Sequence, residues 1–289
     1  MPQANASVGV IGGSGLYDIE SLTDLTEVKP ETPFGPPSDS IVIGTLSGIR
    51  VAFLPRHGRG HRLSPTEIPF RANIFALKSL GVKHVIAINS VGSFKETIKP
   101  GHLLIPDQLI DRTCHRVSTF FEGGIVAHIG FAEPFCTGTR KVLHDCAREV
   151  GATVHHGGTY VVMEGPAFST RAESRLHRSW GADVIGMTAL PEAKLAREAE
   201  MCYAIIACST DYDSWHQDEK PVTVDMIIST LNANMTLAKR ILSLAVTRLP
   251  DNAACECSHA LENAIITDPK AIPQPLKSRL NLLIGRYIK

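Results

Sequence analysis

Asp211 and Asp213 stand two residues apart just past the apolar run Tyr203 to Cys208, in the stretch Cys208-Ser209-Thr210-Asp211-Tyr212-Asp213-Ser214-Trp215. A strand that leaves a buried sheet and then presents carboxyls delivers them to the crevice beyond its carboxyl end, where open α/β sheets bind ligands. Apolar surroundings drive a carboxyl toward its neutral form, so one of the pair can serve as a proton donor near neutral pH. Taken alone, the same residues fit a capping turn equally well, because Ser, Thr and Asp commonly open loops and helices.

Further predicted strands also end on polar groups. Val8 to Ile11 runs into Gly12-Gly13-Ser14-Gly15, a glycine turn that brings backbone amides close to an anion and adds the Ser14 hydroxyl; phosphate is the natural occupant. A dinucleotide fingerprint would need another glycine at the helix start and an acidic residue about twenty positions on. Leu16-Tyr17-Asp18 and a Pro- and Gly-rich stretch follow instead, which disfavours that reading. Val51 to Leu54 ends in Pro55-Arg56-His57-Gly58-Arg59-Gly60-His61. Guanidinium grips phosphate oxygens in a bidentate fork, whereas a zinc reading of the two histidines lacks a third ligand at a suggestive spacing. Solvated loop charges remain the alternative. Val85 to Ile88 delivers Asn89-Ser90-Val91-Gly92-Ser93, and Ala182 to Ile185 leads to Met187-Thr188.

Helical spacing of apolar residues predicts helices over Ile68 to Leu80, about Gly138 to Val150, about Arg171 to Trp180, Pro191 to Glu200 and Asp225 to Leu249. Short strands at Ile41 to Ile43, Leu103 to Ile105, Thr159 to Met163 and Tyr203 to Cys208 precede or separate them. This alternation predicts an α/β fold: one domain with a mainly parallel central sheet and helices on both faces. The tail from Pro250, with Pro269, Pro273 and Pro275, is expected to wrap over the surface before a short helix near Leu276 to Ile284. Residues 1–249 are thus read as the catalytic domain and 250–289 as an extension packed on it.

The 289 residues carry 29 Lys and Arg against 29 Asp and Glu, with no long run of one sign. Bulk electrostatics therefore disfavours nucleic acid or an anionic membrane as partner. No apolar run approaches the about 18 residues of a membrane helix, and a cytosolic location is expected. Seven cysteines argue for reduced, buried thiols and against a secreted disulfide framework. Cys255-Glu256-Cys257 has the spacing of a strained redox disulfide or half a metal site. The only nearby imidazole is His259 and no second Cys pair with ligand spacing follows, so the pair is read as having no essential role.

Several separated motifs, in order, resemble one family. Gly12-Gly13-Ser14-Gly15-Leu16, Thr32-Pro33-Phe34-Gly35, Arg56-His57-Gly58, Ala72-Asn73-Ile74 with Ala76-Leu77, Glu164-Gly165-Pro166 with Phe168, Gly186-Met187-Thr188 and Thr210-Asp211-Tyr212-Asp213 are similar to the 5'-methylthioadenosine phosphorylases. These form part of the trimeric branch of the purine nucleoside phosphorylases, and the resemblance spans roughly Val8 to Leu249. It implies a phosphorylase/hydrolase-like fold, a homotrimer or dimer of trimers, and phosphorolysis of methylthioadenosine to adenine and 5-methylthioribose 1-phosphate in methionine and purine salvage. Inorganic phosphate is then a co-substrate, with no metal or organic cofactor.

By position, the resemblance places phosphate at Ser14, Arg56, His57, Asn89, Ser90 and Thr188. Met187 lies against the sugar and Phe168 on the base. Asp211 protonates purine N7, and Asp213 holds the adenine edge or supports Asp211. Oxopurine enzymes of this branch usually carry Asn and Glu where this chain has Asp211 and Ser169, so the resemblance favours a 6-aminopurine. Val224, Ile227 and Ile228 offer an apolar pocket for a methylthio group, with ordinary helix core as the competing role, and His128 reaches that pocket from a neighbouring subunit. Two other readings keep a place: a phosphorylase of 6-oxopurine nucleosides or methylthioinosine, and a nucleotide-binding module without activity.

Overall fold

Alternate residues of the two longest strands, β5 (His84–Ser93) and β11 (Cys202–Asp211), point into two different cores. Val85, Ala87, Tyr203, Ile205 and Ala207 belong to one, while Ile86, Ile88, Ala204, Ile206 and Cys208 belong to the other. A period of two with apolar residues on both phases is the mark of a strand covered on both faces. The computed structural model describes residues 5–13, 21–216 and 224–288, apart from the side chains at 224–229, 231 and 232. Ser14 therefore lies outside the described residues, as do the side chains of Val224, Ile227 and Ile228.

Around β5 and β11 the described residues form an eleven-stranded sheet. Its other strands are β1 (Val8–Gly12), β2 (Thr23–Val28), β3 (Ile41–Leu46), β4 (Ile49–Pro55), β6 (Leu103–Ile105), β7 (Gln108–Arg112), β8 (Val154–His156), β9 (Thr159–Met163) and β10 (Val184–Gly186). The main path runs β2-β3-β4-β1-β5-β10-β9-β7, and a branch leaves β5 through β11 to β6 and β8. Six of the ten strand pairings are parallel, as the alternation of strands and helices predicts.

Helices α1 (Phe70–Ser79) and α4 (Ala189–Glu198) cover one face through Ile74, Leu77, Ala193 and Leu195, joined by Leu280, Leu283 and Ile284 of α6 (Gln274–Ile284). Helices α2 (Thr137–Glu149) and α5 (Val224–Ala245) cover the other through Leu143, Ala147, Ala238, Ile241 and Leu242. Regular helix in α4 begins at Pro191, as predicted, because Leu190 is extended (φ −118°, ψ 140°). Helix α5 stops at Ala245, four residues short of the predicted Leu249. None of the described helices is long and apolar enough to cross a membrane.

Strands β2, β7 and β8 were not predicted. Thr23–Val28 is exposed along almost its whole length, and Gln108–Arg112 and Val154–His156 each lack a buried residue, so no apolar pattern announces them. They are held by backbone pairing to β3, β9 and β6.

Strand β5 also organises the crevice. It pairs with β1 along its first half, with antiparallel β10 at its end, and with β11 throughout. The β5–β11 register shifts between Ser209 and Asp211, so Asp211 stands opposite Gly92. Such an irregularity re-aims the side chain that follows it.

Candidate active site

The polar strand ends converge on one buried arginine. Arg56, directly after β4, is 3% exposed. Its Nε and Nη2 donate to Glu192 Oε1 and Oε2 of α4 at 2.5 and 3.1 Å. Nη2 also donates to Asn89 Oδ1 at 3.0 Å, and Nη1 to the Ile88 carbonyl at 3.2 Å. Glu192, fully buried, additionally accepts the Tyr203 hydroxyl at 2.9 Å. The Nε and Nη2 edge of the guanidinium is thus engaged by Glu192, and one Nη1 hydrogen is left without a partner among the described residues.

Asn89 passes the arrangement on. Its Nδ2 donates to Thr188 Oγ1 at 3.1 Å and to Tyr160 Oη at 3.3 Å. Thr188 thus accepts through its oxygen and keeps its own hydrogen for an incoming acceptor. Tyr160 reaches Asn89 because position 186 is glycine: a Cβ there would stand 2.0 Å from the phenol oxygen. Ser90, next to Asn89, is the one exposed residue of β5.

His57 is neutral in this setting. Burial, and then the neighbouring Arg56 charge, lowers its pKa to about 4 from an ordinary 6.5. Nδ1 lies 2.8 Å from the Leu63 carbonyl, which assigns the ring proton there and leaves Nε2 as an acceptor. A neutral imidazole of this kind can accept a hydrogen bond from a P–OH group, which hydrogen phosphate carries, but offers no positive charge to its bare oxygens.

The acidic pair closes the other side. Asp211, 6% exposed, accepts the Asp213 N–H at 2.8 Å on Oδ1, and its Oδ2 lies 2.8 Å from Thr210 Oγ1. Gly92 makes room for it, since a Cβ there would meet Asp211 Oδ1 at 2.9 Å and Asp213 Cβ at 3.1 Å. Asp213 adopts a left-handed φ of 50°, and burial pushes its carboxyl above the usual range, with the Ser174 hydroxyl opposing. The turn is fixed by Trp215, whose Nε1 donates to the Ser93 carbonyl at 2.7 Å, and by Ser214, whose hydroxyl donates to the Ser169 carbonyl at 2.8 Å.

That last bond ties the acidic turn to the loop of Phe168 and Ser169. The loop ends at a capping box in which Thr170 and Glu173 fix the start of α3 (Arg171–Ser179). Ser169 is buried, whereas Phe168 is 48% exposed, which leaves an aromatic side chain accessible for stacking on a flat ligand. Met187 packs over Gly165, where any Cβ would stand 2.5 Å from its sulfur. Among the described residues His128 does not join this group: it is exposed, and its backbone N–H donates to the Ala264 carbonyl at 2.8 Å.

Sequence reasoning missed Glu192 and Arg116. Arg116 donates to the Leu190 carbonyl at 2.6 Å, and also to the carbonyls of Met187 and Glu164, cross-linking the loops beside the crevice. It sits in a loop with no surrounding pattern. A glutamate in the first turn of a helix reads as dipole compensation; only an unpaired buried arginine, invisible before folding, would have asked for it.

Two outcomes follow. Glu192→Gln leaves Arg56 buried without a counter-charge, and urea denaturation at fixed protein concentration should show a loss of about 3–5 kcal/mol. Imidazole NMR should give His57 a midpoint near 4, against the ordinary 6.5. Because the unfolded chain binds more protons at this residue in that window, its contribution to stability is complete above pH 6.5 and declines as pH falls toward 4.

The chain matches the family model described as the phosphorylase superfamily over residues 7–247. It is 57% identical to an S-methyl-5'-thioadenosine phosphorylase of Geobacter sulfurreducens over 97% of this chain and 99% of that one. A relative of the same name from Hyperthermus butylicus is 53% identical over 92% and 97% of the two chains. Among solved structures, a methylthioadenosine phosphorylase from an antarctic soil metagenomic library superimposes with a TM-score of 0.92 at 46% identity, covering 97% of this chain and 99% of that one. The methylthioadenosine phosphorylase of Schistosoma mansoni in complex with adenine gives 0.81 at 34% identity, over 97% and 98%. With its polar strand ends gathered at Arg56 and its acidic pair across the crevice, this chain belongs to the phosphorylase superfamily, and within it to the S-methyl-5'-thioadenosine phosphorylases.

Proposed function

We infer that the enzyme catalyses the reversible phosphorolysis of methylthioadenosine to adenine and 5-methylthioribose 1-phosphate. The observation that carries the reading is the setting of the Thr210 hydroxyl against Asp211. Thr210 Oγ1 has one hydrogen but two acceptors in reach, the Val91 carbonyl at 3.3 Å and Asp211 Oδ2 at 2.8 Å. A protonated Asp211 satisfies both, donating to Thr210 while Thr210 donates to Val91. That proton is the one purine N7 needs as the glycosidic bond breaks.

Cleavage builds positive charge on the sugar and negative charge on the purine. Phosphate, held by the Thr188 hydroxyl, the second Nη1 hydrogen of Arg56, Ser90, and the acceptor nitrogen of His57, attacks C1' from the face opposite the base. Asn89 orients Thr188 and Arg56, and Ser14 completes the phosphate site. Asp211 hands its proton to N7 as the C–N bond opens. Asp213 accepts from the exocyclic amine, Phe168 stacks on the base, Ser169 leaves room where oxopurine enzymes carry Glu, and Met187 lies against the sugar. By resemblance, Val224, Ile227 and Ile228 are assigned to the methylthio group. Phosphate is a co-substrate, and the chemistry needs no metal or organic cofactor.

We further propose a homotrimer or dimer of trimers in which His128 of one protomer completes the methylthio pocket of the next. The half-exposed Phe168 and the solvent-facing His128 support this. Sedimentation velocity should show no monomer at micromolar concentration; a monomer with full activity would remove His128 from the site. Seven free cysteines support work in the reducing cytosol, where the products enter methionine and purine salvage.

One activity panel tests the reaction. Adenine should be released from methylthioadenosine only when phosphate is present, and equal release without it would mean hydrolysis. Inosine should be slower by about 5- to 150-fold in kcat/KM, as expected of one mismatched buried polar pair. Asp211→Asn should lower kcat about 100-fold or more with the circular dichroism unchanged; an unaltered kcat would take the acid role from Asp211.

A further inference from the structure

Far from the crevice, four sulfurs meet. Cys136 precedes the first turn of α2, Cys202 opens β11, and Cys255 and Cys257 lie in the C-terminal extension. Their Sγ atoms all fall within 4.8 Å of one another, and Cys136 and Cys255 are 3.7 Å apart. Cys136, Cys202 and Cys257 are buried and Cys255 half-buried, all four as free thiols. The second pair that the sequence lacked beside Cys255-Glu256-Cys257 is supplied by residues distant along the chain.

Four thiolates around zinc, with Zn–S bonds of about 2.3 Å, stand about 3.8 Å from one another at the corners of a tetrahedron. A disulfide brings two sulfurs to about 2.0 Å and leaves the other pair unrelated to it. Mutual approach of all four is the arrangement of a tetrahedral centre. An all-sulfur donor set selects a soft or borderline ion such as zinc over magnesium or calcium. Four protein ligands in a closed site leave no open position for substrate, so the role is structural. The surroundings also suit thiolates. Asn252 Nδ2 donates to Cys202 Sγ at 3.1 Å, as an outer hydrogen bond to a ligand sulfur does, and Arg197 lies within electrostatic reach of Cys257.

We propose that Cys136, Cys202, Cys255 and Cys257 bind one zinc ion that fastens the C-terminal extension to the catalytic core. Binding releases the four thiol protons to solvent. Cys202 and Asp211 are the two ends of the ten-residue β11, about 30 Å apart at 3.3 Å per residue, so the metal serves stability and not the chemistry.

The test uses the full chain, purified from zinc-supplemented cells without chelator or thiol reagent. Mass spectrometry of the metals should find about one zinc per chain, released by a mercurial that titrates thiols. The stripped, reduced protein should melt at a lower temperature at fixed concentration while kcat per folded chain is retained. Cobalt added to it should give the intense visible bands of a tetrahedral thiolate site. Cys257→Ser should abolish zinc retention where the variant folds, and the wild-type measurements decide the matter where it does not. Wild-type protein free of metal, with its four thiols titratable or mapped as disulfides, would overturn the proposal. So would a melting temperature unmoved by complete stripping, or a cobalt spectrum of octahedral oxygen ligation.

Discussion

The pairing of Arg56 with Glu192 is the constraint around which the crevice is built. The guanidinium touches the carbonyls of Ile11 and Ile88, the Asn89 amide and the Glu192 carboxylate, and Glu192 also holds Tyr203. The ends of β1 and β4, the middle of β5, the first turn of α4 and the start of β11 are thereby indexed to one planar group. A buried ion pair is weak evidence for stability as such, because desolvation offsets most of the attraction. Its value here is geometric. Five donors in a rigid fork leave few arrangements of the surrounding acceptors, so the positions of Asn89 and Thr188 follow from that of Arg56.

Close backbone approach is the second requirement, and it explains two glycines that no periodicity would reveal. Gly92 lies beneath the acidic pair and Gly186 beneath the Tyr160 phenol, both at contact distances that no Cβ could share. The register shift in β11 acts in concert with Gly92: it turns Asp211 toward the crevice at the level where β5 has no side chain. Burial of Asp213 in the same turn keeps water away from both carboxyls, which is the condition for one of them to hold a proton at neutral pH.

The sequence made legible whatever had a period or a punctuating residue. Doubly buried strands such as Val85 to Ile88 and Tyr203 to Cys208 announce themselves as apolar runs, and Pro191 marks the start of regular helix in α4. The polar residues at their ends follow directly, which is why Arg56, Asn89, Thr188 and Asp211 could be named from spacing and resemblance. Exposed strands such as Thr23–Val28 gave no signal, because backbone pairing holds them and side-chain burial does not. Glu192 and Arg116 were invisible for another reason: each answers a need of the folded state, a buried charge or a set of loop carbonyls, that exists only once distant segments meet. The same holds for Cys136 and Cys202, which lie far along the chain from Cys255 and Cys257.

A cancelled arginine has a consequence for catalysis in the proposed site. Were Arg56 unpaired, its full charge would bind ground-state phosphate tightly, and that attraction would be present equally before and during bond cleavage. Uniform binding of this kind lowers KM without raising kcat. With Glu192 neutralising the guanidinium and His57 held neutral, phosphate in the proposed site would meet oriented dipoles, namely the Thr188 hydroxyl, Ser90 and one guanidinium hydrogen. Oriented dipoles in a site of low dielectric stabilise charge without reorganising. The remaining negative charge on phosphate then finds its counter-ion only when the ribosyl ring becomes cationic. The attraction between them exists in the transition state and not in the bound substrates, so a neutral arginine–glutamate core directs phosphate's charge to the step that needs it.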